Sequence, residues 1–124
     1  MNKYRVEIPL KLPSLNDYVR ICRANKQYAN KFKQEYQQEI GLFLMKLPRF
    51  EKPIHITFTW IEANKKRDLD NVAFAKKFIL DAMVKYKKLK DDNRKYVTGF
   101  TDKFLYSKEN KVILDIEEVE NEEK

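Results

Sequence analysis

Apolar and polar positions repeat with a strand or helix period over most of the chain, and the pattern predicts six elements. Tyr4-Arg5-Val6-Glu7-Ile8 alternates as a half-buried strand does, and Pro9 ends the alternation. Lys11 to Asn16 contains Pro13 and Ser14 and reads as loop. Tyr28, Phe32, Tyr36, Ile40, Phe43, Leu44 and Leu47 recur at spacings of three and four, which predicts a long helix from Gln27 to Lys46. Its solvated face carries Lys31, Lys33, Glu35, Gln38 and Glu39. Ile54 to Glu62 is the strongest strand, with Ile54, Ile56, Phe58 and Trp60 on one face. β-Branched residues and His55 occupy the other face. A second helix is expected from Asp70 to Tyr86, its buried stripe formed by Val72, Ala75, Phe78, Ile79, Ala82, Met83 and Tyr86. Tyr96–Thr101 and Lys111–Ile116 read as strands, and the turn residues Ser107 to Asn110 predict that they form a hairpin.

The order β-α-β-α-β-β in 124 residues implies one α+β domain, a mixed β-sheet with two helices packed on it. The domain is expected over residues 1–119, followed by an acidic C-terminal tail, 120–124, that frays.

Charge sharpens this picture. The net charge is +7, but residues 112–124 hold six acids and one base, so the first 111 residues carry 25 bases against 13 acids, or +12. A body that basic implies a polyanion-binding surface, with nucleic acid the first expectation. Only two glycines occur, which excludes a Gly-rich phosphate loop. No apolar run approaches the roughly 18 residues of a membrane span. Met1 to Val6 carries no apolar signal region, and Cys22 is the single cysteine, so a reducing, cytoplasmic setting is expected. With one histidine and one cysteine, the zinc-ligand spacings are missing.

The chemistry concentrates in Lys65-Lys66-Arg67-Asp68-Leu69-Asp70-Asn71, with Asp91-Asp92 some twenty residues later. Two carboxylates this close repel unless a cation relieves them. Mg²⁺ suits such hard oxygen ligands, because it is usually held by one or two carboxylates plus water and substrate phosphates. The adjacent Lys/Arg run would hold those phosphates. Asp70 opens the second helix, where a carboxylate also serves as a cap, and the two roles are compatible. Lys77 lies two turns on and projects from the same side, with Asp81 placed to pair with it. Upstream, Asn16, Arg20, Arg23 and Lys26 are donors suited to phosphate oxygens, and Asn16 serves equally well as a helix cap.

Arg67-Asp68-Leu69-Asp70-Asn71, the stretch Phe78-Ile79-Leu80-Asp81-Ala82, the doublet Asp91-Asp92 and the early Pro13-Ser14-Leu15-Asn16-x-Tyr18 together resemble the RusA family of Holliday junction resolvases. The resemblance runs through nearly the whole chain. It implies a homodimeric, Mg²⁺-dependent endodeoxyribonuclease acting on branched DNA, the four-way junction above all. Asp68, Asp70 and Asp92 would then hold the metal, and Lys77 would be the catalytic lysine. The spacing from Asp70 to this helix exceeds that of the best-known members by nearly a turn, which makes Lys76 a rival for that role. Asn16, Arg20, Arg23, Lys26, Lys65, Lys66, Arg67 and Lys76 are the expected DNA contacts. Two other readings stay open: a non-catalytic DNA-binding or replication accessory protein, and an interaction protein whose acidic tail masks its basic body.

Overall fold

The computed structural model describes residues 3–119; the expected acidic tail 120–124 lies outside the described residues. The elements are β1 (Lys3–Ile8), α1 (Leu15–Ala24), α2 (Lys26–Leu44), β2 (Ile54–Glu62), α3 (Leu69–Ala73), α4 (Lys76–Lys85), β3 (Val97–Tyr106) and β4 (Lys111–Glu118). They form the expected α+β domain around one mixed sheet of order β1-β4-β2-β3. β4 runs antiparallel to both β1 and β2, and β2 runs parallel to β3.

One sheet face is the core face. Val6, Ile8, Ile56, Phe58, Trp60, Leu114 and Ile116 pack there with Ile40 and Leu44 of α2 and Phe78, Ile79 and Met83 of α4. The opposite face carries ion pairs, Arg5–Asp115 at 2.7 Å and Lys111–Glu7 at 3.2 Å. His55 is on that polar face, with Nε2 3.1 Å from the Thr101 hydroxyl.

Three local expectations change. First, β3 and β4 do not form a hairpin. The Ser107 N–H donates to the Glu62 carbonyl, and Asn110 Oδ1 accepts from the Ala63 N–H. The turn residues therefore tie down the end of β2, and the chain crosses it. β4 thereby enters between β1 and β2, where Val112, Leu114 and Ile116 are buried.

Second, Leu15–Ala24 is a full helix, where the sequence offered at most a short helical turn capped by Asn16. Its cap is Ser14, not Asn16. Ser14 Oγ accepts from the Asp17 N–H and Asp17 Oδ2 accepts from the Ser14 N–H, a capping box that leaves Asn16 exposed in the first turn.

Third, the expected continuous helix from Asp70 to Tyr86 divides into α3 and α4. Ala75, Lys77 and Phe78 each donate to the carbonyl three residues back, at 3.2, 3.0 and 3.0 Å, so the chain tightens into a 3₁₀ turn. Phe74 and Phe78 meet edge to face at 5.8 Å across this turn, and both contact the Tyr18 ring of α1.

Candidate active site and nucleic-acid interface

The cations of the central motif divide into engaged and available ones. Arg67 is engaged. Its Nε and Nη2 donate to the two Glu62 carboxylate oxygens at 2.8 and 2.7 Å, and Nη1 donates to the Leu12 carbonyl at 3.0 Å. Asp17 lies 3.7 Å away, and only 16% of the Arg67 side chain is exposed. The guanidinium thus joins the end of β2 to the start of α1, so this expected DNA contact is already engaged within the fold.

Lys76 is engaged in the same way. Its ammonium donates to Asp102 Oδ2 at 2.7 Å and lies 4.5 Å from the Phe100 ring centroid. The other Asp102 oxygen accepts from Trp60 Nε1 at 2.9 Å. This partner is one that sequence reasoning missed. Asp102 is brought to Lys76 by the parallel pairing of β3 with β2, and a hairpin assignment hides that juxtaposition.

Lys77, one residue on, turns towards the acids. Its Nζ is 3.3 Å from Asp81 and 3.6 Å from Asp92, and Lys33 of α2 approaches Asp81 at 3.2 Å. The pairing with Asp81 is the one its spacing predicts. The Asp81 charge outweighs the opposing effect of burial and, with smaller contributions from the hydrogen bond to Asp81 and from Asp92, holds the Lys77 ammonium above the usual lysine range.

The three candidate aspartates occupy three adjoining recesses. Asp68 lines one of about 480 Å³ with Lys65, Leu69 and Phe104. Asp70 lines a shallower groove with Leu69, Phe104, Lys76 and Lys77. Asp92 lines a cleft of about 500 Å³ with Lys33, Lys77 and Asp81. Lys77 is common to the last two. Asp68 holds the N-cap position of α3 but its side chain makes no capping hydrogen bond, and among the described residues the Asp70 carboxylate accepts only from its neighbour, the Asn71 N–H, at 3.0 Å. The capping role expected of Asp70 is therefore absent among the described residues.

Among the described residues no three Asp, Glu, His or Cys side chains converge on one metal position. Asp68, Asp70 and Asp92 thus do not form a three-carboxylate cage within one chain. The exposed Asp70 suits the other mode of binding Mg²⁺, one or two carboxylates completed by water and phosphate.

The remaining expected DNA contacts lie outside the packed interior. Asn16, Arg20, Arg23 and Lys26 are exposed on α1 and the first turn of α2, with Arg20 paired to Asp17 at 2.8 Å. Lys65 and Lys66 are exposed on the loop after β2. No protein-family model matches the sequence, and no curated protein matches it. No helix among the described residues is long and apolar enough to cross a membrane.

Proposed function

We propose that this protein is a Mg²⁺-dependent, structure-specific endodeoxyribonuclease that resolves Holliday junctions in the cytoplasm and works as a homodimer. The observation that carries the reading is the position of Lys77. It lines the groove of Asp70 and the cleft of Asp92 together, and its ammonium stands 3.3 Å from Asp81 and 3.6 Å from Asp92, so one exposed cation borders two of the candidate carboxylates. The resemblance of the Arg67–Asn71 and Asp91-Asp92 stretches to the RusA family supports the same chemistry. Bound at Asp70, Mg²⁺ would supply charge neutralisation and an activated water. The chain's own contribution is the Lys77 ammonium, which stabilises negative charge developing on a phosphate in the groove. Exposed cations at Lys65, Lys66, Arg23 and Lys26 hold the flanking phosphates. Paired cuts on opposing strands require two such sites facing one junction, which a two-fold dimer presents.

A second reading has its own support. The distribution of Asp68, Asp70 and Asp92 over three recesses favours a junction-binding accessory protein without cleavage. Asp70→Asn separates the two. It is nearly isosteric, and the amide oxygen can still accept from the Asn71 N–H that Asp70 Oδ1 accepts from. On the nuclease reading, a Mg²⁺ cleavage time course on labelled four-way DNA collapses, while metal-free binding in a gel shift is unchanged or tighter. A wild-type protein that binds the junction and leaves it intact with Mg²⁺ establishes the accessory reading. Cleavage retained by the variant removes Asp70 from the site.

A further inference from the structure

We propose that the recess between the β2–α3 loop and the edge strand β3 binds an unstacked nucleobase. This rests on the nucleic-acid reading above and adds a site to it. The recess holds about 480 Å³, within the range of small-ligand pockets. Its rim is formed by Leu69 on one side and Leu105 and Tyr106 on the other, and these are 58%, 56% and 62% exposed. Large apolar side chains grouped in water mark a binding surface more often than chance placement.

The chemistry of the rim selects the occupant. Lys65 Nζ lies 5.4 Å from the Tyr106 ring centroid, so a phosphate-binding charge and an aromatic face share one edge. Single-stranded nucleic acid is held by this combination, a cationic track with aromatic rings on which bases stack. An uncharged apolar ligand has no use for the charge. The Asp68 carboxylate, which makes no hydrogen bond among the described residues, offers an acceptor to an exocyclic amino group of a base.

Position completes the argument. Leu69 and Phe104 are shared between this recess and the groove of Asp70 and Lys77. A nucleotide whose phosphate enters the groove has an apolar, aromatic-edged recess beside it for its base. In continuous duplex the base stays paired and stacked and cannot enter. At a branch point the stacking is interrupted, so the recess gives selectivity for branched over linear DNA.

The test is a thermodynamic cycle on metal-free binding by the full chain. Four-way junctions carry one abasic nucleotide at each branch-point position in turn, and each is titrated with wild type and Tyr106→Ala. Tyr106 is exposed, so its truncation leaves the core intact; Tyr106→Phe retains the ring as a control. Tyr106→Ala is expected to weaken junction binding about tenfold and linear-duplex binding less than about twofold, with Tyr106→Phe close to wild type. At one branch position the abasic change should weaken wild type by a similar factor and leave Tyr106→Ala unaffected. Additive losses at every position overturn the proposal, as does an equal loss on linear duplex. Wild-type protein that binds no DNA overturns the nucleic-acid reading with it. A dimer that Tyr106→Ala dissociates, without coupling to the base, makes the patch a subunit interface and also overturns the proposal.

Discussion

Arg67 and Lys77 belong to one charged segment, yet their surroundings differ in kind. Arg67 holds Glu62 through two parallel hydrogen bonds of 2.8 and 2.7 Å, and the two side chains are only 16% and 17% exposed. Bidentate geometry and burial make this a fixed joint. Lys77 is 58% exposed and stands between two carboxylates at 3.3 and 3.6 Å. Pairs of that length in water contribute little to stability. The difference teaches which charge the fold consumes and which it leaves available. A cation that already has an optimal partner cannot be given to a phosphate without leaving a largely buried carboxylate uncompensated. A cation shared loosely between two acids can exchange one of them for a phosphate at small cost.

The largest effect tests the fixed joint. Arg67→Met should destabilise the protein by about 3 kcal/mol, because it leaves Glu62 without a counter-charge. Urea unfolding monitored through Trp60 measures this. Arg67→Lys should recover only part of the loss, since an ammonium cannot reproduce the fork. A cost below about 1 kcal/mol, with weakened DNA binding, would erase the contrast and return Arg67 to the interface.

The next effect tests the loose corner. On the nuclease reading Lys77→Gln should lower cleavage about 100-fold, with a stability change below about 1 kcal/mol. Lys76→Gln should show the reverse balance. It removes the partner of Asp102, which also accepts from Trp60, so it should cost more stability and less cleavage. Parallel unfolding and cleavage curves for the two variants decide between adjacent lysines. A larger cleavage loss at Lys76 would exchange their roles.

How much of this is legible in the sequence follows from the range of each interaction. The β2 stripe is a local periodicity and the structure reproduces it, whereas of the α2 stripe only the C-terminal part, Ile40, Leu44 and Leu47, is buried; Tyr28 is exposed, Phe32, Tyr36 and Phe43 are half-buried, and Ala29, Gln37 and Gly41 face the interior instead. The Lys77–Asp81 pair is a local i,i+4 relation and is equally readable. Strand order is not local. Tyr96–Thr101 and Lys111–Ile116 are recognisable as strands, but nothing within them specifies that β4 inserts beside β1 while β3 takes the far edge. The roles of Lys76 and Arg67 depend on that assembly, because Asp102 reaches Lys76 from β3 and the Leu12 carbonyl reaches Arg67 from the loop before α1. The 3₁₀ turn at Phe74–Ala75 is hidden for a related reason. It is favoured by aromatic packing against Tyr18, and the intervening residues carry no glycine or proline to mark it.

The smallest effect separates the two corners by pH. Asp17 belongs to the fixed joint, 3.7 Å from Arg67. Burial raises its pKa, but hydrogen bonds with Ser14 and the charges of Arg67 and Arg20 outweigh burial and hold the carboxyl below its usual range. The native state therefore binds fewer protons than the unfolded chain near the ordinary carboxylate value of about 3.9. The Asp17 contribution is present above that pH and is lost as pH falls through the lower native value. Lys77 has the opposite sign. Its pKa is raised, first by Asp81, so its contribution is present below the ordinary lysine value of about 10.4 and is lost as pH rises through the higher native value. Both side chains are more than one-third exposed, so screening keeps each contribution small. Urea midpoints for wild type, Asp17→Asn and Lys77→Gln in acid and in alkali measure the difference. The gap between wild type and Asp17→Asn should close below about pH 4 and be constant in alkali. The gap for Lys77→Gln should close above about pH 10.5 and be constant in acid. An Asp17→Asn gap that persists undiminished in acid would mean that the capping geometry, rather than the ionised carboxylate beside Arg67, carries the stability of the fixed joint.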